Sequence, residues 1–324
     1  MPISAEHWEA RIGRRVRLRD LHILLTVVQT SSMAKAAQRL SISQSAVSKA
    51  IADLETTLGV RLLDRSPRGV EPTSYGSALV KRGLAAFDEL RQGVGEIEFM
   101  SDASVGEVRV GCPESMMATL LPPVIKQLSV SHPGIAVQVA QMNPVTLDVR
   151  ELRERRVDMM IGRVAPAFAE EDLKTEVLFE ERLVIVAGAQ SRWARRRTIE
   201  LSTLLDATWI HFPPGEAPRM LVDKAFSARG LTPPRAAVAT FSFYLRDMLL
   251  TSGDYVTVIP ASMVRVFNAK SHAVKVLPID LDIQARPVAI LTLKNRTLSP
   301  AAELFIKCVR ATVKSSLSDL GVPG

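Results

Sequence analysis

Between residues 33 and 58 the chain reads MAKAAQRLSISQSAVSKAIADLETTL, and its apolar positions form two short helical faces separated by a turn. Ala36, Ala37 and Leu40 mark the inner face of a first helix, and Ser41-Ile42-Ser43 is the turn. Val47, Ile51 and Leu54 follow at i, i+4 and i+7, the inner face of a second helix. The small side chains of the first helix let the two cross closely, and Ser43 is placed to cap the second. Gln44, Ser45, Ser48 and Lys49 then point away from the buried face, near the helix's N-terminal end. From there, a helix lying in the major groove of DNA reaches base edges and phosphates. Two amphipathic helices joined by a short turn also occur in α proteins of every kind, so this pattern needs support from its surroundings.

The next segments supply some. Residues 61–73, RLLDRSPRGVEPT, predict a short β-hairpin turning at Pro67-Arg68-Gly69, a wing beside the helices. From Tyr75 to about Met100 a long helix is predicted. In it Phe87, Leu90, Val94 and Ile97 recur at steps of 3, 4 and 3, a seam suited to a partner helix. Gly83, Gly93 and Gly95 weaken that helix by roughly 1 kcal/mol each relative to Ala. Pairing with a second copy is the simplest use of the seam; packing on the chain's own body is the alternative. SDASVG, residues 101–106, reads as a hinge.

Beyond Glu107 strand and helix patterns alternate. EVRVGC is a strand, Met116–Val130 a helix, IAVQVAQM a strand, Thr146–Arg156 a charged helix and VDMMIG a strand. A second set runs through ERLVIVAGA (181–189), TWIHF, a helix over 217–229, AAVATF, a helix over 243–251 and DYVTVIP. RPVAILTLK and a helix over Ala301–Val313 close the chain. The alternation predicts parallel α/β architecture.

Charge changes the weight of the first segment. Residues 1–82 hold 13 Lys and Arg against 7 Asp and Glu, a surplus of six out of the net +7 of all 324 residues. A basic module on a nearly neutral body is the electrostatic footprint of a nucleic-acid binder.

The run from Leu18 to Thr73 resembles the N-terminal winged helix-turn-helix of the LysR-type transcriptional regulators. LRDLHILLTVVQTSSMAKAAQRL and SQSAVSKAIADLETTLGVRLLDRSPRGVEPTSYG carry the likeness over some 60 residues without a gap. It departs at Ser45, where the family more often has Pro or Ala, and at Leu63, where an aromatic residue is usual. The resemblance implies an α/β fold with an N-terminal all-α winged helix-turn-helix and an effector domain of two Rossmann-like lobes, like a type 2 periplasmic binding protein. The expected organisation is a basic extension over residues 1–17, a DNA-binding domain over 18–74, a dimerisation helix over 75–100 and the hinge. An effector domain then covers 107–324, with lobe one at 107–180 and 282–324 and lobe two at 181–281. The family likeness implies double-stranded operator DNA, a small-molecule effector and a homodimer or homotetramer as partners, with RNA polymerase as a further one. Its DNA contacts would fall on Lys35, Ser43, Gln44, Ser45, Ser48, Lys49, Arg65, Arg68 and Thr73.

In open α/β sheets ligands collect at the C-terminal ends of strands, beside helix N-termini. Here that rule selects Ser115, Met116 and Met117 after the first strand, Asn143 after IAVQVAQM and Arg163 after VDMMIG, with Phe212 and Ser242 from lobe two. Ser115 either caps a helix or binds a ligand carboxylate. Arg163 either clamps a carboxylate or is a solvent-exposed arginine beside Glu170 and Glu171. The phenylalanines either flank a planar ligand or belong to the core. The expected effector is a carboxylate or a sugar-derived metabolite. Where many family members carry a Gly-x-Gly turn, this chain has Ser252-Gly253-Asp254-Tyr255.

No G-x-S-x-G elbow, P-loop, H-E-x-x-H or C-x-x-C is present, and the five histidines are scattered without ligand spacing. No enzyme activity, metal or cofactor is expected. Cys112 and Cys308 are either a redox pair or, the commoner case, buried free thiols. No run of 18 apolar residues suggests a membrane span, and the N-terminus has no apolar core of a secretory signal, so a cytoplasmic location is expected. A solute-binding protein would lack the basic module, and a non-specific architectural DNA binder would have no use for a two-lobed body.

Overall fold

The structure, a computed structural model, describes residues 15–66, 69–142, 148–165, 168–271 and 274–316. The expected extension over 1–17 therefore falls almost wholly outside the described residues, as do Arg68 and Asn143. The chain divides into two compact units, Met1–Gln92 and Gly93–Gly324.

In the first unit, helices α1 (Leu18–Thr30), α2 (Met33–Leu40) and α3 (Gln44–Leu58) precede a hairpin of β1 (Leu63–Ser66) and β2 (Gly69–Pro72). Serines set the helix boundaries. Ser31 and Ser41 take left-handed backbone conformations that end α1 and α2, and Gly59 (φ 71°) does so for α3. The Ser32 hydroxyl accepts from the Lys35 N–H at 3.3 Å and the Ser43 hydroxyl from the Ala46 N–H at 3.1 Å, starting α2 and α3. Leu24, Val27, Ala36, Val47, Ile51 and Leu54 are sealed in one core. Full burial of each larger side chain contributes roughly 1.5–3 kcal/mol.

The wing is antiparallel, with Leu63 opposite Pro72 and Ser66 opposite Gly69. Helix α4 (Ser74–Ser101) leaves it at a close approach: a Cβ on Gly76 would lie 2.0 Å from the Leu62 carbonyl oxygen. Phe87, expected on the partner-facing seam, is half-buried against the unit's own core, 5.5 Å from the His22 ring. The exposed seam consists instead of Leu90, Val94, Ile97 and Met100, each more than half exposed.

The second unit contains two five-stranded sheets. Lobe one is built from β3 (Val105–Cys112), α5 (Glu114–Thr119), α6 (Leu121–Ser131), β4 (Gly134–Gln141), α7 (Arg150–Arg153), β5 (Met159–Arg163) and β6 (Leu173–Glu181). Lobe two follows with β7 (Leu183–Gly188), a 3-10 turn (Leu201–Asp206), β8 (Thr208–His211), α8 (Ala217–Ser227) and β9 (Ala236–Ala239). It continues with α9 (Phe243–Ser252), β10 (Tyr255–Pro260), α10 (Met263–Ser271) and β11 (Val274–Val276). The chain then returns to lobe one for β12 (Arg286–Leu293) and α11 (Pro300–Ser316). Strand order is β4-β3-β5-β12-β6 in lobe one and β11-β7-β10-β8-β9 in lobe two.

Four expectations change. The sheets are mixed rather than parallel: β3 pairs parallel with β4 and β5, but β12 returns antiparallel to β5 and β6, and β10 runs antiparallel to β7. The helix expected over Met116–Val130 breaks at Leu120, because Pro122 and Pro123 lack N–H groups and are suited to opening a new helix. Within the charged segment expected to be helical over Thr146–Arg156, the described helix is the single turn of α7. Strand β3 starts at Val105, inside the expected hinge, and continues the pairing with Gly134 on β4. No helix among the described residues is long and apolar enough to cross a membrane.

Candidate nucleic-acid interface and interlobe cleft

On α3, Gln44, Ser45 and Lys49 are exposed and Ser48 is half-buried, while Val47, Ala50, Ile51 and Leu54 face the core. The polar positions named from spacing thus share one side of the helix's first turns. Ser43 is occupied there: its hydroxyl caps the Ala46 N–H and lies 2.9 Å from the Ser45 hydroxyl. Lys35 on α2 and Arg65 on β1 are exposed. The exposed cations Lys35, Lys49 and Arg65 and the N-terminal dipole of α3 make this face attractive to phosphate.

The position of the wing relative to α3 is held by side chains. The Glu55 carboxylate accepts from the backbone N–H groups of Leu62 at 2.7 Å and Leu63 at 3.2 Å. Thr73, expected to touch DNA, does something else with its hydroxyl. It donates to the Arg61 carbonyl at 2.8 Å and accepts from the Gly76 N–H at 3.0 Å, joining the end of the wing to the first turn of α4.

In the second unit the strand-end rule leads to the region where the two lobes touch, through Glu114 and Phe243 and through Glu181 and Ser262. Ser115 is fully buried at the start of α5, and its hydroxyl has no partner among the described residues. Met116, expected to touch the effector, is sealed in the lobe-one core, whereas Met117 is partly buried at the core's edge. Ser242 caps α9, its hydroxyl accepting from the Leu245 N–H at 3.2 Å. Arg163 is tied to the buried carboxylate of Glu181 at 2.6 Å, and not to Glu170 or Glu171. Glu170 and Asp172 pair with Arg153. The Ser262 hydroxyl, at the start of α10, bonds the other Glu181 oxygen, so Glu181 joins the two lobes beside the crossing from β6 to β7.

Spacing did not single out the most unusual side chain here. Arg246 on α9 is wholly buried and, among the described residues, hydrogen-bonds uncharged groups: the Ile210 carbonyl at 3.1 Å, the Thr240 carbonyl at 2.7 Å and the Thr257 hydroxyl. Its Nε has no partner among the described residues, and its guanidinium carbon lies 4.2 Å over the Phe212 ring. Burial pushes its pKa down to about 9, and the negative charge of Glu114 opposes that shift. Phe212 is therefore a core platform for a cation, ringed by Phe241 at 6.1 Å and Phe243 at 6.4 Å. An arginine at the fourth position of a helix reading FYLRDMLL was the available sign, a lone cation in an apolar run.

Elsewhere, His211 is buried and stacked 4.8 Å from the Trp209 ring. Burial, with the positive charges of Arg219 and Arg246, pushes its pKa down to about 3, so it is neutral at physiological pH. Cys112 and Cys308 are free thiols in the lobe-one core. Burial pushes Cys112 up to about 12 and raises Cys308 as well, which suppresses the thiolate needed for redox chemistry.

Comparison with known proteins matches residues 101–314 to the LysR substrate binding domain and residues 18–77 to the bacterial regulatory helix-turn-helix protein, lysR family. The HTH-type transcriptional regulator GbpR of Azospirillum brasilense is 30% identical over 92% of this chain and 86% of its own length. A full-length OxyR variant from Pseudomonas aeruginosa shares the fold with a TM-score of 0.65 at 24% identity, covering 91% of this chain and 97% of that one. Full-length CbnR complexed with its target DNA has a TM-score of 0.61 at 21% identity, covering 92% and 100%.

Proposed function

Because the chain belongs to the LysR family, and so is a DNA-binding transcription regulator with an effector-binding domain rather than an enzyme, we propose a specific division of labour among its residues. Gln44 reads a base edge through its amide, with adenine as the matching partner. Ser45, Ser48 and Lys49 set the helix on the groove, and Lys35 and Arg65 hold phosphates. Thr73 positions the wing and takes no DNA contact. The single observation carrying this reading is the exposed polar side of α3 directly opposite its sealed apolar side.

One short helix reads only a few base pairs, so specificity requires at least two copies on paired half-sites. The exposed seam Leu90, Val94, Ile97 and Met100 on α4 supports a homodimer, which a tetramer would double. The strand ends and helix N-termini where the lobes meet favour an effector bearing an anionic carboxylate, sugar acids included. Its binding shifts the lobes and hence the spacing of the paired DNA-reading ends. The site of action is the cytoplasm.

Genome-wide mapping of bound DNA tests the reading. Sites sharing a two-part motif upstream of genes for acid or sugar metabolism are expected. Scattered binding without a common motif would contradict it.

A further inference from the structure

Shortly after β7, residues 191–198 read SRWARRRT, with arginine at 192, 195, 196 and 197 and no acidic residue among them. Residues 83–324 carry a net charge of only +1, and this turn supplies +4, so the rest of that stretch is net negative. The fold pins the turn in place. Trp193 is 3% exposed in the lobe-two core, and the guanidinium carbons of Arg192 and Arg196 lie 4.5 and 5.4 Å from its ring centroid. The Ser191 hydroxyl accepts from the Ala194 N–H at 3.3 Å, and the Trp193 carbonyl accepts from the Arg196 N–H at 3.3 Å. Lys275 Nζ, from β11, donates to the Ala194 carbonyl at 2.7 Å and brings a fifth cation to the turn. Arg192 is paired with Asp254 at 3.2 Å, and the exposed Glu200 lies three positions beyond Arg197. Arg195, Arg196 and Arg197 are exposed and have no carboxylate partner among the described residues. In the same unit Arg109, Arg153, Arg163, Arg219, Arg296 and Arg310 each hold a carboxylate at 2.6–2.9 Å. Three adjacent guanidinium groups on a fixed backbone repel one another, and a polyanion relieves that repulsion.

We propose that the 191–198 turn is a second DNA-binding site, which takes backbone phosphates of double-stranded DNA without regard to sequence. A run of neighbouring cations matches a linear array of phosphates better than it matches one small anion. The turn offers neither a helix nor a strand ribbon to enter a groove, so it positions duplex and does not read bases. The Trp193 anchor fixes the backbone in advance, which lowers the ordering cost of each phosphate contact. Duplex DNA is the polyanion this chain already holds through its first unit, and one bound end raises the effective concentration of phosphate at the other. The role follows from the chain's DNA-binding character and not from the assignment of Gln44. An acidic protein surface is the rival occupant, and it would leave DNA affinity untouched.

The test uses full-length protein and a random-sequence duplex in anisotropy titrations between about 50 and 200 mM salt. Concentrations are chosen at which sedimentation equilibrium gives every variant the wild-type assembly. Replacing Arg195, Arg196 and Arg197 together by Gln is expected to weaken binding at least tenfold and to lower the salt slope by about two. Replacing Lys174, Arg235 and Lys307 together by Gln removes the same net charge from other exposed positions of the unit. That control is expected to bind as the wild type does. Should the triple arginine variant lose its fold, Arg195→Glu alone carries the test, with a loss of at least threefold. Wild-type affinity in the arginine variant overturns the proposal and hands the turn to a protein partner. Equal losses in the arginine variant and the control overturn it as well, since net charge alone then accounts for the effect. Failure here leaves the reading by α3 standing, whereas failure of that reading shows as wild-type DNA binding without a motif.

Discussion

The Glu55 carboxylate, near the end of α3, accepts the backbone N–H of Leu62 at 2.7 Å, and this contact sets the wing's place beside the recognition helix. Glu55→Ala should cost about 1–3 kcal/mol in urea denaturation, since it leaves part-buried backbone donors unmade. It should also weaken binding to all DNA sequences alike. Unchanged stability would remove Glu55 from this role.

Removing the reading group and removing a phosphate partner should have different signatures. In anisotropy titrations, Gln44→Ala is expected to narrow the gap between operator and random DNA, with a loss of about 1–3 kcal/mol on the operator. Lys49→Ala is expected to weaken both by a similar factor and to lower the salt slope by about one. Identical behaviour of the two variants would contradict the roles assigned.

Ile97 is nearly two-thirds exposed in the single chain, in line with Leu90 and Val94 on α4. A charge placed there would have to be buried by a partner helix. Ile97→Asp should therefore raise the dimer dissociation constant at least tenfold in sedimentation equilibrium, and operator affinity should fall with it. Retention of the native assembly would place the interface elsewhere.

His211 makes stability acid-sensitive. Its folded pKa, about 3, lies below its ordinary value of 6.5, so the unfolded chain binds the extra proton in between. The full benefit of a neutral His211 is present above pH 6.5 and is lost as pH falls from there toward 3. The slope approaches about 1.4 kcal/mol per pH unit. The buried carboxylate of Asp158, held low against its burial by Arg109 and Arg296, adds a further loss below the ordinary carboxylate range. Between pH 6 and 4, His211→Gln should flatten the stability profile. An unchanged slope would show that His211 is hydrated or protonated in the folded state.

How legible these features were depended on how local they are. The helix-turn-helix could be read because Val47, Ile51, Leu54 and the Ser43 cap follow from one helix's own periodicity. Strand β6 could not: in LKTEVLFEE buried Leu173, Phe179 and Glu181 are interspersed with exposed charges, and regular alternation is lost. The antiparallel entry of β12 is a product of the chain leaving lobe one and returning, which no window of residues around Arg286–Leu293 displays. Arg246 escaped notice for the same reason, its partners being spread over Ile210, Thr240 and Thr257. Arg163 lay at the expected strand end, but its partner Glu181 closes the neighbouring β6, a strand that periodicity did not reveal. Phe87 kept the spacing of the α4 seam and yet packs inward, because α1 supplies His22 as a neighbour.

The central claim, sequence-specific reading by α3, is tested most directly by selection from a random double-stranded DNA pool with full-length wild type and Gln44→Ala in parallel. The wild type should enrich a motif of two related half-sites. The variant should enrich the same spacing with one base position in each half relaxed. Enrichment of no motif by the wild type, or of an identical motif by both proteins, would contradict the account.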